Sequence, residues 1–346
     1  MRAQALLTCL LLLLLSGCGA TGETTGTASR TEAKDVTFFA MDTVMSVRAF
    51  GADDALLSGA EPLVTELEAE LSATREGSAV YTLNRTGSAT LSEEGAYLLG
   101  RALALCRETG GALDVSVYPV VRAWGFTTAD GNYRVPDAAE LSALLERVDY
   151  TRVTLEGNRA SLPEGMELDL GAVAKGYAGD RIAAYLKDAG VESALLDLGG
   201  NVQTVGKKPD GSDWRIAVQN PDGEGVLGVL AVSDQAVITS GGYERYFIDD
   251  AGTLWWHIMD PRSGYPARNG LISVTVVGDE GLYCDALSTA LFVMGTEDAV
   301  AFWRGHRDFD MILVTEDGTL LLTPGLATRF APSEGLAYET AVIGDA

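Results

Sequence analysis

Residues 168–200, LDLGAVAKGYAGDRIAAYLKDAGVESALLDLGG, indicate a helix start, a helix, a buried strand and a glycine turn. Apolar residues recur at helical spacing up to Leu186, and the mostly apolar run 194–198 predicts a strand buried on both faces. Asp169 precedes small residues at the predicted helix start, where backbone N–H groups without partners can bind an anion. Lys175 follows within the first turns. The stretch therefore predicts both a core element and a ligand site.

Outward from this stretch, strands outnumber helices and do not alternate with them one for one. We predict helices over residues 55–71, 93–109, 136–148 and 283–294. We predict strands over residues 38–50 with an interruption at 42–43, and over 152–155, 214–219, 226–232, 271–277, 311–315 and 320–323. This pattern favours an α+β fold, a single mixed domain, over a doubly wound parallel sheet.

Composition and charge narrow the class of protein. The chain has 346 residues, of which 47% are hydrophobic, enough for one large globular domain, which we assign to residues 36–346. Its 25 basic and 49 acidic residues give a net charge of −24, which opposes binding to nucleic acid. Such a chain can hold a pyrophosphate only where a helix N-terminus, a lysine or a divalent cation reverses the local sign.

The first residues indicate export. Arg2 precedes an apolar run over 5–15 that is too short to span a membrane, as in a secretory signal. Residues 15–18, LSGC, resemble the lipobox of bacterial lipoproteins, in which Cys18 would be lipidated after cleavage. We therefore predict a signal peptide over 1–17, a flexible tether over 18–35, and a lipid anchor at the extracytoplasmic face of the cell membrane. An ordinary signal peptide with a chance cysteine is the alternative.

Cysteine and histidine are scarce. After loss of the signal peptide and lipidation, Cys106 and Cys284 are the cysteines left in the domain, and the sequence leaves open whether they form a disulfide. The two histidines, His257 and His306, are far apart in sequence, which argues against a zinc hydrolase. We expect His306 at the surface.

Two polar positions stand out individually. Asp114 lies in an apolar stretch, where an unpaired carboxylate is costly, so it needs a partner. A purely structural carboxylate bonded to backbone N–H groups is the alternative. His257 follows a predicted Trp-Trp strand and precedes an Asp-Pro turn, which would hold it rigidly near a pocket.

The helix over 283–294 carries a third candidate. Asp285 and Thr289 are four residues apart and so share one helix face. Oxygen ligands without a softer neighbour suit a hard cation such as Mg²⁺. The alternative is that Asp285 caps the helix and that Ser288 and Thr289 supply capping-turn hydroxyls.

Seven motifs together resemble one family. They are MDT at 41–43, ALD at 112–114, DLG at 169–171 followed by KGYA at 175–178, DLGG at 197–200, TSG at 239–241, HIMDPRSGYP at 257–266 and DALST at 285–289. In this order and spacing they resemble FAD:protein FMN transferases of the ApbE type, over about residues 36–323.

The resemblance implies a reaction and a set of site residues. Such an enzyme splits FAD and transfers FMN to a Thr or Ser hydroxyl of an acceptor flavoprotein, with release of AMP and with Mg²⁺ on the pyrophosphate. His257 matches the candidate base. The implied FAD contacts are Met41, Ala112, Leu113, Asp114, Asp169, Lys175 and Met259. The implied Mg²⁺ ligands are the Ala172 carbonyl, Asp285 and Thr289, with Ser288 as a further candidate.

The resemblance also implies partners, and it has one departure. The implied acceptors are flavoproteins of membrane redox complexes, such as Na⁺-pumping NADH:quinone reductase or Rnf-type subunits. Thr74 stands where many relatives have an aromatic residue, so stacking on the flavin or adenine is not expected there. The chain has no acceptor-like Asp-x-x-Ser/Thr-Gly-Ala-Ser/Thr of its own, which indicates the donor enzyme.

Two other functions remain open from the sequence. An FAD diphosphatase would use the same site with water in place of the acceptor hydroxyl. A non-catalytic FAD-binding lipoprotein would need no base, so the joint presence of His257 and the Asp285/Thr289 pair argues against it.

Overall fold

The computed structural model describes residues 32–127, 131–223 and 225–344. Its helices are α1 (Asp54–Ser58), α2 (Ala60–Leu71), α3 (Ala79–Thr86), α4 (Glu93–Glu108), α5 (Tyr118–Ala123), α6 (Ala138–Leu145), α7 (Gly171–Asp188), α8 (Gly281–Met294) and α9 (Thr296–His306). No helix of these ranges is both long enough and apolar enough to cross a membrane. The predicted signal peptide, Cys18 and most of the predicted tether lie outside the described residues.

The strands of the first half are β1 (Ala33–Ala40), β2 (Thr43–Phe50), β3 (Ser88–Thr90), β4 (Thr154–Glu156), β5 (Arg159–Ser161), β6 (Ser193–Leu198) and β7 (Asn201–Val205). Those of the second half are β8 (Trp214–Gln219), β9 (Val226–Val232), β10 (Ala236–Gly241), β11 (Tyr246–Ile248), β12 (Leu254–Trp256), β13 (Leu271–Gly278), β14 (Asp310–Thr315), β15 (Thr319–Leu322), β16 (Phe330–Pro332) and β17 (Glu339–Val342).

A nine-stranded sheet organises these elements in the order β1-β2-β6-β7-β10-β13-β14-β15-β17. Neighbouring strands pair antiparallel, except that β15 and β17 pair parallel. Short hairpins can join antiparallel strands, so the sequence needs no helix between each pair. The predicted α+β class is confirmed.

The two faces of the sheet bury different layers. On β13, Val274 and Val276 pack in a cluster with α8 and α9, whereas Val277 packs in another with β8, β9 and β16. This alternation follows from the two-residue period of a strand. A further cluster joins β1, β2 and β6 to α2, α4 and α7. The helical layer therefore covers one face, and the small β8-β9-β16 sheet covers the other.

The stretch 168–200 folds as predicted, into α7, β6 and a turn at Gly199 and Gly200. Strands β8 and β9 also have the predicted bounds. The predicted helix over 55–71 forms two helices, α1 and α2, which meet at Gly59. The predicted tether ends too late, because β1 begins at Ala33 and pairs with β2.

Candidate active site

The site centres on the crossing of α7 and α8. A Cβ on Gly176 would lie 2.2 Å from the Gly281 carbonyl oxygen, and a Cβ on Gly281 would lie 2.5 Å from the Gly176 carbonyl oxygen. The two helices therefore touch backbone to backbone. At this contact the Gly176 N–H donates to the Asp285 Oδ2 at 2.8 Å. Two glycines thus bring the α8 carboxylate against the first turns of α7.

Asp180 fixes the start of α8. Its Oδ1 accepts from the Gly281 N–H at 2.7 Å, and its Oδ2 accepts from the Leu282 N–H at 2.8 Å. These are two of the N–H groups that a helix start leaves unpaired. A side chain of α7 therefore caps α8 and sets the position of α8, with its Asp285, relative to α7, with its Lys175.

The alternative reading of Asp285 as a helix cap is wrong. Helix α8 begins at Gly281, so Asp285 lies in its second turn. The side chain is 6% exposed and is turned toward α7. Burial raises the pKa of Asp285 to about 6, against the opposing effect of the Lys175 ammonium and the Gly176 N–H.

Hydroxyl groups border this carboxylate. The Ser240 Oγ on β10 lies 2.8 Å from the Ser288 Oγ and 3.4 Å from the Thr289 Oγ1. Ser288 is completely buried and donates to the Asp285 carbonyl at 2.9 Å, so it fits the ligand role less well. Thr289 is only half-buried. Thr289 therefore fits the predicted oxygen-ligand role best among these hydroxyls.

Lys175 supplies the positive charge. It acts electrostatically on Asp285, on Glu244 and on His257, lowering the pKa of each. The sequence had given no role to Glu244, whose carboxyl pKa is raised by desolvation despite the nearby Lys175. One lysine therefore faces the groups of both the α7–α8 crossing and the segment that follows β10.

The oxygens at the crossing fit a hard cation. In the described ranges there is no group of three or more His, Cys, Asp or Glu that could hold a metal, and the predicted ligand set contains one carboxylate. In a regular helix the Ala172 carbonyl accepts from the Gly176 N–H, which here also donates to Asp285. The Ala172 carbonyl therefore shares the Gly176 N–H with the Asp285 carboxylate. This leaves the carbonyl oxygen better able to bind a cation. Asn201 adds a buried Nδ2 without a partner.

His257 follows directly after β12, as predicted. Its backbone N–H donates to the Arg245 carbonyl at 3.1 Å, and its ring Nδ1 lies 3.3 Å from the same oxygen. A proton on Nδ1 satisfies that contact and leaves the Nε2 lone pair free. Burial lowers the pKa of His257 to about 4, and the charges of Arg245 and Lys175 act in the same direction. The ring is therefore neutral at pH 7 and can accept a proton.

Aromatic packing supports the β11-β12 hairpin that carries His257. Phe247 stacks on Tyr133 with 5.2 Å between ring centroids and an interplanar angle of 4°. The ring centroids of Trp124 and Trp255 lie 5.0 Å apart. The Arg245 guanidinium donates to the Phe126 carbonyl. This two-stranded hairpin is separate from the main sheet, so these rings hold it in place.

At the start of α7, backbone N–H groups are bonded to Asp169 and to the Leu170 carbonyl. The Asp169 Oδ1 accepts from the Gly171 N–H at 2.8 Å, and the Val173 and Ala174 N–H groups both reach the Leu170 carbonyl at 3.0 Å. Three N–H groups at the helix start therefore have partners within the chain. The prediction that the N–H groups of this helix start are free is wrong for these three, and the contact of Asp169 with FAD stays a prediction.

Asp114 accepts from backbone N–H groups, as the alternative of a structural carboxylate predicted. It is 7% exposed, its Oδ1 accepts from the Ser116 N–H and hydroxyl at 2.8 and 2.6 Å, and its Oδ2 accepts from the Tyr150 N–H at 3.2 Å. Burial nevertheless raises its pKa. Its contact with FAD stays a prediction.

The other predicted FAD contacts lie in or against the core. Leu113 and Met259 are 3% and 4% exposed. Met41 and Ala112 are partly buried and pack against the cluster around α7. Their contacts with FAD stay predictions, as do those of Asp169 and Lys175.

The structure also shows the surroundings of the two cysteines, of Thr74 and of His306. Cys106 and Cys284 are both buried free thiols, so they form no disulfide. Thr74 is exposed and lies 3.2 Å from the Ser72 hydroxyl, in the loop that precedes α3. His306 ends α9 and stacks on Phe302 with 3.9 Å between centroids, half-buried instead of fully at the surface.

The sequence analysis missed four polar residues of this region. Asp180 lies five residues after Lys175, and Asn201 follows the DLGG motif directly. Glu244 and Arg245 follow the TSG motif after two further residues. Proximity to motifs was the available signal, but no spacing rule marks which neighbour points inward.

Comparisons with known proteins identify the family of this chain. Residues 41–313 match the model of the ApbE family. An FAD:protein FMN transferase of Klebsiella pneumoniae (strain 342) is 37% identical over 302 residues, covering 84% of this chain and 92% of that protein. One of Treponema pallidum (strain Nichols) is 35% identical over 309 residues, covering 83% and 84%.

Solved structures give the same result. The ApbE protein of Thermotoga maritima superposes with a TM-score of 0.77 at 30% identity, covering 88% of this chain and 97% of that one. The flavin transferase ApbE of Vibrio cholerae gives a TM-score of 0.74 at 29% identity, covering 82% and 94%. With a family match over most of its length and relatives above 30% identity, the chain belongs to the ApbE family.

Proposed function

We propose that this chain transfers FMN from FAD to a Ser or Thr hydroxyl of an acceptor flavoprotein, with Mg²⁺ as cofactor and AMP as the second product. The family match and the relatives named FAD:protein FMN transferase support the enzyme class. The observation that carries the proposal is the position of Lys175. It is close enough to act electrostatically on both the Asp285 carboxylate at the α7–α8 crossing and the neutral imidazole of His257.

The chain's own groups divide the reaction between them. The free Nε2 of His257 takes the proton of the acceptor hydroxyl while that oxygen bonds to the FMN phosphorus. The bond from this phosphorus to the bridging oxygen breaks, and the electron pair leaves with AMP. Lys175 stabilises negative charge on the pyrophosphate.

The α7–α8 crossing would hold the metal. The Asp285 carboxylate, the Thr289 hydroxyl and the Ala172 carbonyl are hard oxygen donors of the type that Mg²⁺ prefers. When bound, Mg²⁺ supplies charge neutralisation on the pyrophosphate oxygens, which a chain of net charge −24 otherwise disfavours.

The test is a transfer assay on the full chain. The protein is incubated with FAD, Mg²⁺ and an acceptor that carries Asp-x-x-Ser/Thr-Gly-Ala-Ser/Thr. This should give AMP and an acceptor with covalently bound, fluorescent flavin in equal amounts. AMP with no labelled acceptor would instead support the FAD diphosphatase. FAD binding with no AMP would support a carrier and overturn the proposal.

We also propose that the mature protein is anchored by a lipid on Cys18 at the extracytoplasmic face of the bacterial cell membrane. The support is the LSGC sequence and the apolar run before it. The proposed acceptors are flavoproteins of membrane redox complexes, such as subunits of Na⁺-pumping NADH:quinone reductase or Rnf-type complexes. Cys18→Ala should move the protein to the soluble fraction on cell fractionation. Unchanged membrane association would contradict the anchor.

A further inference from the structure

The turn between β6 and β7 directs one polar side chain toward the site. Gly199 and Gly200 have φ angles of +69° and +93°, which favour glycine. A Cβ on Gly199 would lie 2.2 Å from the Thr43 Oγ1, and the Asp197 Oδ1 accepts from the Gly200 N–H at 2.9 Å. The turn is held from both sides, so the next residue, Asn201, has a fixed direction.

Asn201 is buried with an unused donor. The residue is 5% exposed, and its Nδ2 has no hydrogen-bond partner among the described residues. Gln203 lies two residues on and therefore on the same face of β7. Its Nε2 donates to the Asp180 Oδ1 at 2.8 Å. Of two buried amides on one strand face, one is satisfied and the other is not.

The unused amide is directed at Asp285. Asn201 interacts with that carboxylate and favours its charged form, as an N–H donor does. The contact nevertheless falls short of a hydrogen bond, since Nδ2 remains without a partner. A buried donor that lacks an acceptor costs free energy, so its persistence beside a candidate cation ligand calls for an explanation.

We propose that Asn201 is a positioning residue of the candidate cation site, whose carboxamide closes a hydrogen bond onto Asp285 when the site is loaded. The inference rests on the function proposed above. The Gly176 N–H holds Oδ2 from α7, and in the loaded site the Asn201 amide would hold the carboxylate from β7. Two donors on different elements would fix the rotation of the carboxylate, and partners of this kind orient metal ligands and raise metal affinity.

The test measures Mg²⁺ affinity directly. Asn201→Leu keeps the side-chain volume and removes the donor. FAD binding by quenching of flavin fluorescence, titrated with Mg²⁺, should need 10- to 100-fold more Mg²⁺ for half-saturation in this variant, the usual effect of losing such a partner. Transfer should recover at saturating Mg²⁺. An unchanged Mg²⁺ requirement would overturn the proposal.

Thr204→Val is the matched control. Thr204 is a buried polar residue of the same strand, and it bonds to the Gln235 carbonyl and N–H at 3.1 Å, away from the site. This variant should lower the Tm and leave the Mg²⁺ requirement unchanged. If it raises the Mg²⁺ requirement as much as Asn201→Leu does, the effect on β7 is merely structural and the proposal fails.

Asn201→Asp distinguishes a role of the Asn201 N–H as a hydrogen-bond donor from a role of its oxygen as a cation ligand. It keeps an oxygen and removes the N–H donor, so we expect a larger rise in Mg²⁺ requirement than for Asn201→Leu, because two carboxylates then repel. Tighter Mg²⁺ binding would mean that the Asn201 oxygen itself binds the cation, which overturns the donor role. Wild-type protein that binds FAD with Mg²⁺ but labels no acceptor would refute the proposed function and leave the inference testable by the same titration.

Discussion

The α7–α8 crossing and the β11-β12 hairpin both contribute to the candidate site, but they are built differently. At the crossing, backbone contacts of Gly176 and Gly281 hold a buried carboxylate that favours protonation. At the hairpin, stacked rings hold an imidazole that resists protonation. The first region is suited to bind a cation, and the second is suited to accept a proton. Binding and proton transfer should therefore be separable by mutation.

The largest effect should come from the crossing. Asp285→Ala removes the one charged group of the predicted ligand set, so FMN transfer should fall below detection at limiting Mg²⁺. The buried charge of Asp285 costs stability above pH 6 without a cation, so the variant should match or exceed the wild-type Tm at pH 8. Near-normal transfer after EDTA treatment and limiting Mg²⁺ would contradict this prediction.

The hairpin should give a purely kinetic effect. His257→Ala should bind FAD and Mg²⁺ normally and transfer FMN about 10²- to 10⁴-fold more slowly, the usual contribution of a general base. A single-turnover assay beside an FAD titration measures both quantities. A structural histidine would instead weaken FAD binding and lower the Tm together.

The backbone contact at the crossing can be tested by one methyl group. Gly176→Ala places a Cβ against the Gly281 backbone and should lower the free energy of unfolding by about 3 kcal/mol, at the upper end of overpacking costs. Gly305→Ala on α9 is the control, because its Cβ meets nothing within 4 Å. It should stabilise the protein by about 0.5–1 kcal/mol, through the better helix propensity of alanine. Equal Tm values for the two variants would refute the packing argument.

The smallest effect concerns pH. At saturating Mg²⁺, where the cation keeps Asp285 ionised, transfer should change less than about twofold between pH 8 and pH 5.5, since His257 stays neutral down to about pH 4. At limiting Mg²⁺ the rate should fall near pH 6 as Asp285 is protonated. A tenfold fall by pH 5.5 at saturating Mg²⁺ would mean an ordinary histidine pKa.

The lowered pKa of His257 also makes the free energy of unfolding depend on pH. The pKa of His257 is lower in the folded chain than in the unfolded one, so the unfolded state binds the proton first. Its contribution to stability is complete above about pH 6.5 and is lost as the pH falls toward 4. Asp285 acts in the opposite direction, because its folded pKa is raised.

The sequence alone determined the elements and the residues with chemistry. Helical and strand periodicity located α7, β6, β8 and β9, because side-chain burial imposes periods of 3.6 and 2 on any amphipathic or buried element. The scarcity of histidine singled out His257. These are local properties, which can be inferred directly from the sequence.

Only the tertiary structure decided which polar groups face the site. Asp114, Asp169 and Asp285 looked equally promising in sequence, and the structure shows that Asp114 and Asp169 accept from backbone N–H groups two residues on, whereas Asp285 accepts from the Gly176 N–H of another helix. Asn201 had no assigned role in the sequence, and the fold buries it with an Nδ2 that has no partner among the described residues. The hydrogen bonds that build the crossing join residues 101 to 109 positions apart, namely Gly176 with Asp285 and Asp180 with the start of α8, and no local pattern encodes them.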